Sequence, residues 1–299
     1  MFKRMAGRFG LVICLFLSSV VAVPAADTPR LVSAEWLAQN LARADIRIVD
    51  VRSTVLEYWR GHIPGAVFLN VDSLKMPDHG VPAMLTAPEA MIAILGHAGV
   101  TPQTFVAIYS DRSDFKATYL GWALDYIGHK SWGILDGGFE KWAKSGLPAT
   151  FDYPRIEAVA YHAPGKVNAA VRADLAAVKS VVEKGDAILL DARPADLYSG
   201  KDGAWKRKGH IKGAVHHFWL EDLQADGTWK SKADLEQTYK SVGITRDKAV
   251  IVSCGQGLMS SHVYYTLKYI LDFPNVKNYD GSFNEWSSIE ELPVEAAAK

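Results

Sequence analysis

The sequence predicts an α/β chain of two tandem domains, each a parallel sheet flanked by helices. Strand-length apolar runs alternate with helical patterns, and the same punctuation recurs in both halves of the chain. The runs Asp45–Val51, Phe105–Ser110, Ala187–Ala192 and Ala249–Ser253 are short and rich in Val and Ile, which suits parallel strands covered on both faces. Helical patterns cover Ala87–Gly96 after Thr86 as a cap, Ala117–Ile127, Ala170–Lys184, Lys232–Val242 and Ser261–Leu271. This alternation gives a parallel sheet, whose ligands sit beyond the carboxyl ends of the strands.

The repeat is legible residue by residue. Asp50-Val51-Arg52 and then Gly61-His62-Ile63-Pro64-Gly65-Ala66 return as Asp191-Ala192-Arg193 and Gly209-His210-Ile211-Lys212-Gly213-Ala214. Asp136-Gly137-Gly138-Phe139-Glu140-Lys141-Trp142 returns as Asp280-Gly281-Ser282-Phe283-Asn284-Glu285-Trp286. Separations that stay between 141 and 148 residues indicate a duplicated domain. The expected division is 27–150, a linker over 151–166 that carries Pro154, Pro164 and Gly165, and 167–299.

Composition narrows the function classes. The 299 residues hold 33 Lys plus Arg against 33 Asp plus Glu, with 49% apolar, 22% charged and 11% aromatic residues. That is globular, and zero net charge argues against nucleic acid or an anionic membrane surface as a partner. The N-terminus reads as a secretory signal over residues 1–26. Lys3, Arg4 and Arg8 precede an apolar run from Leu11 to Val23, and Pro24, Ala25 and Ala26 follow. Cleavage after Ala25 or Ala26 predicts an exported, periplasmic protein without stable membrane insertion.

Cys14 would leave with that signal, so Cys254 would be the mature chain's single thiol. Cys254 follows an apolar strand and precedes a helix, inside Cys254-Gly255-Gln256-Gly257-Leu258-Met259-Ser260. A helix N-terminus favours a thiolate, and the glycines let several N–H groups face one point. A phosphatase of the Cys-plus-Arg kind would need Arg where Ser260 stands. The spacing of His210, His216, His217 and His262 matches no standard zinc site, so no metal and no cofactor is expected.

The Asp-x-Arg, Gly-His-Ile-x-Gly-Ala, Cys-x-x-Gly and Asp-Gly-x-Phe-x-x-Trp motifs together resemble the rhodanese family of sulfurtransferases, as a tandem pair. The resemblance implies that Cys254 is the nucleophile. It would carry a sulfane sulfur as a persulfide from a small anionic donor to a thiol or cyanide. Arg193, unless held in a structural pair with Asp191 or a neighbouring carboxylate, and the loop Gly255, Gln256, Gly257, Leu258, Met259 and Ser260 would bind substrate. Asp111 is read as the first half's counterpart of Cys254, whereas Asp50, Asp191, His62 and His210 recur in both halves and are expected to be scaffold. The family's thiosulfate-type loop reads Cys-Arg-Lys-Gly-Val-Thr and its mercaptopyruvate type Cys-Gly-Ser-Gly-Val-Thr. Gln256 fits neither, and Met259 replaces the Thr. Extra charge for an anion would then come from Lys201, Lys206, Arg207, Lys208 and Lys212, with Trp205 and Trp219 as candidate walls. Thiosulfate is the expected donor. The alternatives are 3-mercaptopyruvate and a non-catalytic sulfur carrier or partner-binding protein.

Overall fold

A computed structural model describes residues 28–163 and 165–296; the expected export signal lies outside them. The first half contains β1 (Leu31–Val32), α1 (Ala34–Asn40), β2 (Ile46–Asp50), α2 (Val55–Trp59), β3 (Val67–Phe68), β4 (Lys75–Asp78), β5 (Val81–Leu85), α3 (Pro88–His97), β6 (Phe105–Tyr109), α4 (Lys116–Tyr126), β7 (Trp132–Leu135) and α5 (Gly138–Lys144). The second contains β8 (Arg172–Ala173), α6 (Leu175–Lys184), β9 (Ile188–Asp191), α7 (Ala195–Tyr198), β10 (His210–Ile211), β11 (Val215–His216), α8 (Lys232–Ser241), β12 (Val250–Ser253), α9 (Leu258–Tyr265), β13 (Val276–Tyr279), α10 (Ser282–Ser288) and β14 (Val294–Glu295).

Each half forms a five-stranded parallel sheet. The strand orders are β1-β7-β6-β2-β3 and β11-β9-β12-β13-β8, which are the same order read from opposite edges. The four apolar runs became β2 and β6 in the first sheet and β9 and β12 in the second, inner strands whose faces are covered by helices, while the third inner strands, β7 and β13, were not anticipated. The two-residue edge strands are too short to leave a pattern in the sequence.

Two predicted helices moved. Over Ala170–Lys184 the chain first makes a 3₁₀ turn and the edge strand β8. Helix α6 starts only after Asp174, whose carboxylate accepts the N–H of Ala177 at 2.8 Å. The helix predicted to begin at Ser261 begins at Leu258 and passes into a π turn over Thr266–Ile270. Helices α4 and α9, which follow the equivalent loops of the two halves, pack against each other, and a single apolar core runs through them from sheet to sheet.

Candidate active site

The recurring motifs build the same frame twice. Arg193 donates Nε and Nη2 to the Asp191 carboxylate and Nη2 again to Gly209 O at 2.7 Å. Arg52 does the same with Asp50 and Gly61 O at 2.8 Å. His210 stacks on Tyr198 at 3.8 Å and His62 on Tyr58 at 3.7 Å, and each tyrosine hydroxyl donates to the carbonyl of the motif's Ala. The glycine before each His is required. Gly209 has φ +122°, and a Cβ there would lie 2.0 Å from Glu295 O.

This clasp favours the structural pair with Asp191 over the substrate-binding role for Arg193. Its side chain is fully buried, three of its N–H bonds are spent on Asp191 and Gly209, and only Nη1 has no partner. Its guanidinium also stacks on Trp205 and Phe283, at 5.0 and 4.2 Å from the ring centres. Charge for an anion is further reduced nearby. Arg207 donates to the carbonyls of Trp286, Ser287, Ile289, Glu290 and Leu292 and so caps α10. Lys206 pairs with Glu290 and Lys201 with Asp196. Among the described residues, Lys208 and Lys212 carry no ion pair.

Strand β12 delivers Cys254 to the carboxyl end of the second sheet, and Gly257, at φ +80°, turns the chain into α9. The helix entrance has no side-chain cap. Among the described residues the N–H groups of Gly255 and Gln256 have no acceptor, and those of Leu258, Met259 and Ser260 form the open first turn. The cradle is smaller than the sequence suggested. Ser282 Oγ accepts the N–H of Gly257 at 3.2 Å and that of Cys254 at 3.1 Å, while donating to Tyr279 O. Cys254 itself is 1% exposed, and a Cβ on Gly255 would meet the Trp205 ring at 3.1 Å, so this tryptophan lies over the loop. Gln256 is exposed, whereas Leu258 and Met259 pack against the core. Trp219 is elsewhere, between Phe115 and His262 where the halves meet.

The histidines also have structural partners. His217 Nε2 meets the Asp222 carboxylate at 2.8 Å and His262 Nδ1 lies 3.6 Å from it. Burial opposes the charge on Asp222, but these two imidazoles outweigh it and hold the carboxyl below the usual range. His216 reaches Arg193 O.

Register corrects one residue. Asp50 pairs with Tyr109 and Asp191 with Ser253, and the N–H of Phe139 donates to Ser110 O as that of Phe283 donates to Cys254 O. The counterpart of Cys254 is therefore Ser110, not Asp111; the two loops differ in length by one residue, which shifted the alignment. The first-half loop repels anions. Glu140 takes the N–H of Arg112, Asp114 takes that of Lys116 and the Ser110 hydroxyl, and burial together with Glu57, Glu140 and Asp114 pushes the Asp111 carboxyl up to about 6.

Sequence reasoning placed Ser260 in the binding loop for its N–H but not its hydroxyl, and missed Ser282 and Asn278 as parts of the site. Ser260 Oγ lies 3.4 Å from Cys254 Sγ. The available signal was the comparison of the halves, where Ser282 replaces Gly138 and Asn278 replaces Ile134.

The model of the rhodanese-like domain matches this chain twice, over residues 33–145 and 174–289. The chain belongs to the rhodanese family. It is 33% identical to the 3-mercaptopyruvate sulfurtransferase of Escherichia coli K12, over 90% of this chain and 99% of that protein. It is also 33% identical to the sulfur carrier protein TtuD of Thermus thermophilus, over 88% and 95% of the two chains. The thiosulfate sulfurtransferase of Corynebacterium glutamicum is 29% identical, over 90% and 91%. The solved structure of YnjE shares the fold, with a TM-score of 0.80 at 24% identity over 90% of this chain and 69% of that one. As a rhodanese, the chain has one half that keeps the cysteine and one that holds a serine in its place.

Proposed function

We propose that this rhodanese is a sulfurtransferase that moves a sulfane sulfur from thiosulfate to a thiophilic acceptor through a persulfide on Cys254. The observation that carries this reading is Cys254 at the carboxyl end of β12, against the uncapped N-terminus of α9. The helix end and the free N–H groups stabilise negative charge on sulfur, both in the attacking thiolate and as charge develops in transfer. The Cys254 thiolate attacks the sulfane sulfur. A Cys–S–S⁻ bond forms, the S–S bond of thiosulfate breaks, and sulfite leaves with its electron pair. The acceptor, cyanide or a thiolate, then attacks the terminal sulfur and takes it as thiocyanate or a persulfide. The Cys254 thiolate is restored. With Arg193 largely occupied, the donor's charge is met by the main-chain N–H groups of Gly255 to Ser260 other than that of Gly257, and by Arg193 Nη1.

Intact mass after incubation with thiosulfate tests this. The wild type should gain one sulfur, and Cys254→Ser should gain none with an unchanged circular dichroism spectrum. A wild type that gains nothing overturns the reading and favours a sulfur carrier, the name that the Thermus relative bears. The uncharged Gln256 beside Gly255 favours 3-mercaptopyruvate as a second donor, and a higher kcat/KM with it than with thiosulfate would replace thiosulfate as the assigned donor. We also propose export: the mature N-terminus, read by sequencing the periplasmic protein, should be Ala26 or Asp27.

A further inference from the structure

A buried serine meets the catalytic sulfur and a buried asparagine meets that serine, where the duplicated half carries apolar residues. Ser260 Oγ lies 3.4 Å from Cys254 Sγ and donates to Asn278 Oδ1 at 2.6 Å. Asn278 Nδ2 donates to Gly257 O at 2.9 Å, which fixes the amide so that its oxygen faces Ser260. Both side chains are fully buried. Burying such groups is costly unless they are bonded, and the same space could be filled by apolar side chains.

The first half shows that filling. Ala173 pairs with Tyr279 as Val32 pairs with Leu135, so Asn278 corresponds to Ile134. Thr118 and Ser261 each donate to the carbonyl three residues back, which aligns α4 with α9 and sets Ala117 opposite Ser260. Ser110, Ala117 and Ile134 line one small cavity there. The polar pair stands only beside the thiol.

We propose that Ser260 is a catalytic residue that donates its hydroxyl to the anionic Cys254 sulfur, and that Asn278 is a positioning residue that accepts this hydroxyl while the sulfur is protonated. A serine has one O–H hydrogen, so it serves one acceptor at a time. With the thiol, S–H donates to Ser260 Oγ and O–H to Asn278 Oδ1. When the thiol releases its proton to solvent, the hydroxyl turns to the sulfur. Ser260 thereby replaces the hydroxyl that Met259 does not supply on the loop. The inference rests on the reading of Cys254 as the working thiol, but thiol ionisation is measured without any sulfur donor, so the two fail separately.

The test is the thiolate's ultraviolet absorbance against pH, as the difference between each protein and its Cys254→Ser version, which needs no reagent to reach the buried sulfur. Ser260→Ala should raise the thiol pKa by about one unit, because a hydrogen bond to a charged group is lost, and Ser260→Thr should restore it. Asn278→Ile removes the competing acceptor and should lower the pKa, with no effect when Ser260 is already Ala. Both replacements are the residues the first half carries at these positions. An unchanged pKa in Ser260→Ala, or an Asn278→Ile shift equal in both backgrounds, overturns the proposal. If Ser260→Ala does not fold, Asn278→Ile alone decides it: an unchanged or raised value overturns.

Discussion

Arg193 shows how a motif residue can serve the scaffold first. Arg193→Ala leaves the Asp191 carboxylate buried without its partner, and removing one member of such a pair typically costs about 3–5 kcal/mol. Chemical denaturation should show that loss, with a smaller change in KM for thiosulfate among molecules that remain folded. Asp111 gives a pH signature. Its carboxyl is raised to about 6 when folded, so the folded state binds its proton more tightly than the unfolded chain does. Its stabilisation is full below pH ~4 and is lost as pH rises towards 6. Asp111→Asn should therefore raise stability at pH 7, by about 1 kcal/mol after allowance for its half-exposed site. It should also flatten the stability profile between those values, leaving the similar contribution of Asp280, which burial raises to about 6.

At the level of elements, the loop and helix around the thiol depend on a few close approaches. Gly257 turns the chain at φ +80°, and a Cβ there would meet Asp280 O at 3.0 Å. Gly257→Ala adds left-handed strain of roughly 1–2 kcal/mol and presses the loop away from β13. The expected result is a lower Tm together with slower sulfur loading of Cys254, followed by intact mass over time. Arg207 caps α10 and thereby holds the segment that carries Trp205 over the loop, and this is why a run of basic residues did not become an anion site.

For the whole molecule, the half without the cysteine supports the half that has it. Thr118 and Ser261 bond side chain to side chain across α4 and α9. Asp125 of the first half accepts the hydroxyls of Tyr264 and Tyr269, and the Tyr265 hydroxyl reaches Arg30 O. Asp280, beside the active loop, accepts the N–H of Leu85 at 2.8 Å and Arg172 Nη2 at 3.0 Å. Residues 167–299 alone would expose the α9 face that these contacts bury. They should elute as aggregates or melt well below the full chain in size-exclusion and thermal scans. A monomer as stable as the intact protein would refute this support.

The α/β class, the duplication and the place of Cys254 were legible in the sequence because strand burial, turn glycines and the helix entrance each leave a local pattern. The correspondence of Ser110 to Cys254, the occupation of Arg207, the loss of the Gly257 N–H to Ser282, the contact of Ser260 with the sulfur and that of Asn278 with Ser260 left none. Each joins residues distant in the chain or depends on a one-residue difference in loop length. Sequence alone determined which local elements form and where the thiol lies along them. Only the tertiary structure decided which polar groups reach that thiol, because hydrogen-bond partners are chosen by distance in space.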